Sequence, residues 1–214
     1  MKKVILIGDS IRMGYDKFVK SALEGAADVY YTAENCKFAQ YVLRFLHEWK
    51  EQENWPEDAD LIHWNAGLWD NVELFGDAPL TPISVYEEMI ARVDKRLRML
   101  FPRAKLVFAT STAVLDDKFD SFFSRSNKTI ANYNEAALRA LKDTDTVIND
   151  LYSLTVDFPE EFHSDPVHFF TDNGVDKIGR KVLSVICNEL DISSDDVKID
   201  GFVRENYSKT NIGY

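Results

Sequence analysis

The sequence predicts one three-layer α/β/α domain around a parallel sheet of about five strands. Three observations carry this. Short apolar runs alternate repeatedly with longer segments of helical period along the 214 residues. The clearest run, Val4 to Ile7, is continuously apolar, as in strands buried on both faces of a sheet. No linker rich in Pro, Gly or Ser, no low-complexity tract and no fixed-period repeat divides the chain.

Val4 to Ile7 makes the first strand. Phe18, Val19, Ala22 and Leu23 then recur at helical spacing, and Gly25 closes that helix. Val29 to Tyr31 is the second strand, and Phe38 to Trp49 is a helix with Val42, Phe45, Leu46 and Trp49 on one face. Leu61 to Trp64 is the third strand, followed by a loop from Ala66 to Leu80. Ser84-Val85-Tyr86-Glu87 has the form of a capping box, so the next helix is expected to start there and run to Leu100, before Phe101-Pro102. Lys105 to Ala109 is the fourth strand, followed by a polar Asp/Ser-rich loop and a helix from Ile130 to Leu141. Val147-Ile148 is a short fifth strand. The last helix starts near Thr171 or Asp172 and carries Val175, Ile178, Val182, Leu183 and Ile186. Residues 1–190 form the expected domain. Residues 191–214 fall outside the alternation, either as a tail packing back through Phe202 and Tyr207 or as an arm reaching a second subunit of a homo-oligomer.

Composition narrows the function. A net charge of −11, from 36 acidic and 25 basic residues, repels phosphate backbones, so neither nucleic acid nor an anionic membrane is an expected partner. The apolar run after the two N-terminal lysines ends at Gly8-Asp9, too short for the core of a signal peptide, and no stretch approaches a membrane span. Cys36 and Cys187 read as reduced thiols of a cytoplasmic protein.

In an open parallel sheet, ligands bind where the loops leave the carboxyl ends of the strands. Gly8-Asp9-Ser10 follows the first strand, and His63, Trp64 and Asn65 close the third. Asp165-Pro166-Val167-His168 lies between the fifth strand and the last helix. These are the parts of an acyl-transfer site. Ser10 supplies a nucleophile that needs a base, and His168 suits that role at neutral pH. Asp165 can hold the imidazole in one tautomer, while the Ser10 N–H and the Asn65 amide can meet an oxyanion.

The first block, Val4 to Ser10, and the last, Asp165-Pro166-Val167-His168, resemble those of the SGNH (GDSL-type) hydrolases. That resemblance implies a flavodoxin-like α/β/α fold, Ser10 as nucleophile with His168 and Asp165, and hydrolysis of esters on small molecules or carbohydrates without a metal or other cofactor. It also implies an oxyanion hole from Ser10, Asn65 and a backbone N–H at Cys36.

Two departures qualify the match. Cys36 stands in Glu34-Asn35-Cys36-Lys37-Phe38 where the family has a glycine, and His63-Trp64-Asn65-Ala66 replaces its G-x-N-D block. They keep open a ligand-binding module that has lost turnover, beside a hydrolase of thioester or phosphodiester bonds. Arg12 occupies a position that excludes the G-x-S-x-G elbow and reads as a solvated helix residue. Asp9, Asn35, His63, Trp64, Gly67 and Trp69 are the expected pocket residues. For Trp64, Trp69 and Phe75 core packing is the equal alternative, and for His63 and His163 a structural or surface role is the simpler reading.

Overall fold

A computed structural model describes residues 1–120 and 122–199. Strand β1 (Lys2–Ile7) leads through Gly8-Asp9 into helix α1 (Ser10–Ala22). Asp9 caps that helix by accepting the Ile11 N–H at 3.0 Å. Strand β2 (Ala27–Tyr31) precedes helix α2 (Ala39–Gln52), and strand β3 (Leu61–Trp64) precedes the short strand β4 (Glu73–Leu74). Helix α3 (Ile83–Leu100) is followed by strand β5 (Lys105–Ala109), short strand β6 (Phe123–Ser124) and helix α4 (Asn127–Leu141). Strand β7 (Val147–Asn149), helix α5 (Tyr152–Thr155) and helix α6 (Asp172–Leu190) complete the alternation. Ser126 caps α4 and Thr171 caps α6, each accepting a first-turn N–H.

The five long strands form one parallel sheet in the order β2-β1-β3-β5-β7. Alternate side chains divide the core between its faces. Val4, Leu6, Val107 and Ala109 pack against α1 and α6, whereas Ile5, Ile7, Ile62, Trp64 and Phe108 pack against α2, α3 and α4. The expected three layers and five strands are therefore present. No helix among the described residues is long and apolar enough to cross a membrane.

Three expectations need correction. The Ser84 capping box does not form. Helix α3 begins at Ile83 with Pro82 at its cap position, and the Val85 and Tyr86 N–H groups donate to the Pro82 carbonyl, so Ser84 already lies inside the first turn. The two loops 66–80 and 111–126 are not wholly irregular, because β4 and β6 pair antiparallel and tie them together. Arg12 is fully buried rather than solvated. Its guanidinium pairs with Asp16 at 2.6 Å and donates to the carbonyls of Gly8, Thr32 and Glu34.

Beyond α6, Ile192, Val197 and Ile199 pack against the α1/α6 side of the core, and the Lys198 N–H donates to the Ala22 carbonyl at 2.8 Å. The expected contacts of Phe202 and Tyr207 lie outside the described residues.

Candidate active site

Strand register builds the floor of the site. Leu6 is paired with His63 and Ile7 with Trp64, so β1 and β3 end at the same level. The ladder continues one step further, with the Asn65 N–H donating to the Ile7 carbonyl at 3.0 Å. Asn65 Nδ2 then donates to Asp9 Oδ1 at 3.0 Å, which fixes the amide beside the Gly8–Ser10 turn. Only glycine fits at position 8, since a Cβ there would lie 1.8 Å from Asn65 Oδ1.

His168 reaches the same point from the far end of the chain. The turn before α6 is tight, with Asp165 Oδ1 accepting the N–H groups of Val167 and His168 at 2.8 and 2.9 Å. The Ser164 N–H donates to the His168 carbonyl, and the Phe170 ring stacks on the imidazole. His168 Nδ1 lies 2.8 Å from Asp165 Oδ2, and His168 Nε2 lies 2.7 Å from Ser10 Oγ. With Asp165 ionised, Nδ1 carries the proton and donates, leaving Nε2 to accept from the Ser10 hydroxyl. Burial pushes the Asp165 carboxyl up, but its bonds to the His168 ring and to two backbone amides outweigh this and hold it well below the usual carboxylate range.

Other expected residues fall elsewhere. The Cys36 N–H is spent on the Gly8 carbonyl at 3.1 Å and the side chain is fully buried, so Cys36 is not an available oxyanion donor. Burial also raises its thiol to about 11, which leaves it protonated and unreactive. Asn35 Oδ1 accepts the Lys37 N–H, which turns the chain into α2 with Lys37 at φ 48°. His63 does not line the pocket. It lies beneath the rim, between the Tyr15 hydroxyl at 3.3 Å and Asn149 Nδ2 at 3.0 Å, and burial lowers it to about 3, so the ring is neutral. Trp64 is core, edge-on to Phe108. Gly67 is required for its backbone, at φ +147° with Ser111 Oγ where a Cβ would go, and it is not a pocket residue. His163 packs on the Phe169 ring. Phe75 is largely exposed against Phe122.

A pocket of about 480 Å³ opens over Ser10 and His168. Of the expected aromatic residues only Trp69 lines it, steadied by an edge contact with Phe38. Leu68, Phe119, Phe123, Arg125 and the two central residues of the last motif, Pro166 and Val167, complete its wall. Asp70, two residues after Leu68, caps α2 from a distance by accepting the Ala39 N–H at 3.0 Å. Burial raises its carboxyl to about 7.

The serine-bearing turn after β1 and the histidine ahead of the last helix thus meet at one edge of a parallel sheet of order 2-1-3-5-7. The fold is that of the SGNH (GDSL-type) hydrolases. The chain is similar to a lipase/acylhydrolase from Enterococcus faecalis, with 16% identity, 94% of this chain and 100% of that chain covered, and a TM-score of 0.68. It is similar to the acetyl xylan esterase AlAXEase, with 18% identity, 86% and 99% covered, and a TM-score of 0.65. A GDSL-like lipase from Bacteroides thetaiotaomicron gives 14% identity, 87% and 88% covered, and a TM-score of 0.64. No family model and no curated protein sequence matches the chain.

Proposed function

We propose that the protein is a serine hydrolase that cleaves carboxylic esters through an acyl-enzyme. The observation that carries the reading is the unbroken chain from Ser10 Oγ through the His168 ring to Asp165, with both bonds under 3 Å. As Ser10 Oγ bonds to the substrate carbonyl carbon, its proton passes to His168 Nε2, and Asp165 stabilises the imidazolium that forms. The Ser10 N–H belongs to the first turn of α1, whose amides lack intrahelical acceptors, and it faces the developing oxyanion together with the second Asn65 amide hydrogen. His168 then returns its proton to the leaving alkoxide, and a water deprotonated by the same ring releases the acyl group.

The names of the similar structures, a lipase/acylhydrolase and an acetyl xylan esterase, support short acyl or acetyl esters of small molecules or carbohydrates as the substrate class. Both cysteines are free, Cys36 buried and Cys187 half-buried, which supports a reducing, cytoplasmic setting. Turnover of 4-nitrophenyl acetate by the wild type and its loss in Ser10→Ala, with fluorophosphonate labelling of the wild type alone, is the expected result. Labelling of Ser10→Ala, or equal turnover by both proteins, would refute the assignment, whereas ligand binding without labelling of the wild type would favour the module that has lost turnover.

A further inference from the structure

The cavity over Ser10 and His168 is larger and less polar than an acetyl group needs. At about 480 Å³ it lies among the ~300–1,000 Å³ sites that enclose whole organic molecules. An acetyl group is three heavy atoms, each about the size of a water at roughly 30 Å³, and would fill only about a fifth of it. Leu68, Trp69, Phe119, Phe123, Pro166 and Val167 give it apolar walls. Phe123 is 40% exposed although it belongs to that wall, so part of its ring gains by being covered.

The rings are fixed before any substrate arrives. Leu74 of β4 pairs with Phe123 of β6, and Asp120 Oδ1 accepts the N–H groups of Phe122 and Phe123 at 2.8 and 2.9 Å. The Arg125 guanidinium packs 4.9 Å from the Phe123 centroid while its Nε donates to the Leu68 carbonyl at 2.7 Å, which ties β6 to the Leu68–Trp69 side of the wall. The Phe119 and Phe123 centroids stand 6.4 Å apart, with the rings tilted by 41°. Walls braced in this way suit a flat or ring-shaped apolar group, because little of their freedom is lost when it enters.

The base decides which end of the ester enters. In the reaction proposed above the oxyanion turns toward the Ser10 N–H and Asn65, so the leaving oxygen comes to His168 Nε2, its proton donor. Pro166 and Val167, the two residues before His168, are part of the cavity wall. Asn65 and the β2–α2 loop are not among the described residues that line it. The cavity therefore lies on the side of the leaving group.

We propose that the cavity holds the alcohol part of the ester, that this part is a bulky apolar ring system, and that Phe119 and Phe123 select it. The assignment to the alcohol side rests on the hydrolase reading above; the preference for an apolar ring does not.

Three esters test this. Ethyl acetate is the reference, 2-(2-naphthyl)ethyl acetate enlarges the alcohol, and ethyl 2-naphthylacetate enlarges the acyl group. The wild type is expected to favour 2-(2-naphthyl)ethyl acetate over ethyl acetate in kcat/KM, and Phe123→Ala to lower that ratio by about 10-fold, the weight of one aromatic contact. Phe119→Ala is expected to lower the ratio in the same direction. Phe75→Ala, at an exposed ring outside the cavity, is expected to leave it unchanged. A ratio unmoved by both cavity variants overturns the selecting role of the two rings. A wild type that gains only on ethyl 2-naphthylacetate overturns the assignment to the alcohol side. Calorimetric binding of 2-(2-naphthyl)ethanol separates the ring site from the hydrolase reading. Binding that weakens in Phe123→Ala, with no ester cleaved, sinks the hydrolase assignment and supports the ring site. No binding to the wild type overturns the ring site, whether or not esters are cleaved.

Discussion

Asp165 does three things with one carboxylate. It accepts two backbone N–H groups that shape the turn, and it holds Nδ1 of the histidine that the turn presents. An amide at this position keeps the shape but reverses the last contact, because its NH₂ donates to Nδ1 and drives the ring proton to Nε2. The base then faces Ser10 with a hydrogen instead of a lone pair. Asp165→Asn is expected to lower kcat by about 10³- to 10⁴-fold while urea unfolding moves little, and steady-state kinetics beside a denaturation curve checks both. Ser10→Ala removes the proposed nucleophile itself and is expected to separate the same quantities in the same way. At the neighbouring positions the chain shows how closely the parts fit. Gly8 is required because Asn65 lies against its backbone, and the amide that excludes a side chain there is the one that Asp9 orients.

At the scale of elements, the loop between β2 and α2 is held from one direction by Arg12 and from the other by Asp70. Arg12 binds carbonyls of Gly8, Thr32 and Glu34 while paired with Asp16, and Asp70 caps the start of α2. Arg12→Met is expected to cost about 3–5 kcal/mol, because it strands a buried carboxylate at Asp16 and leaves the carbonyls without their donor. Adding Asp16→Leu should recover part of that loss, as urea midpoints of the single and double variants would show. Sequence alone made the order of strands and helices legible, because continuous apolar runs and helical periodicity are local signals. It also singled out Ser10, Asn65, Asp165 and His168, which the structure brings together, since each follows or precedes an element in a recognisable block. Arg12 was misread because two of the carbonyls it binds, those of Thr32 and Glu34, lie 20 and 22 residues away and leave no trace in side-chain pattern. Cys36 was misread for a similar reason, as only the path of the backbone shows that its N–H is already committed to Gly8. The short strands β4 and β6 pair two loops across 50 residues, and the pocket wall of Leu68, Phe119, Phe123 and Arg125 depends on that pairing. Neither strand is long enough to register as a period.

Across the whole molecule, the face of the sheet under the site contains a polar knot of Tyr15, His63 and Asn149 joining α1, β3 and β7. Burial lowers His63 to about 3, so the folded protein leaves this ring neutral at pH values where the unfolded chain protonates its own. Below the ordinary histidine value of about 6.5 the unfolded state therefore binds the extra proton, and stability falls with pH by about 1.4 kcal/mol per unit from this group. His63→Gln is expected to show a shallower acid loss by that amount, read from urea titrations at pH 7, 6 and 5. A larger feature spans the fold. Ser10 and His168 are 158 residues apart, carried by the first helix and by the turn before the last one, which pack side by side on one face of the sheet. During synthesis the serine is made 158 residues ahead of the histidine that stands beside it in the fold. On the hydrolase reading, the growing polypeptide is therefore chemically idle until both have been made and the fold has closed to join them.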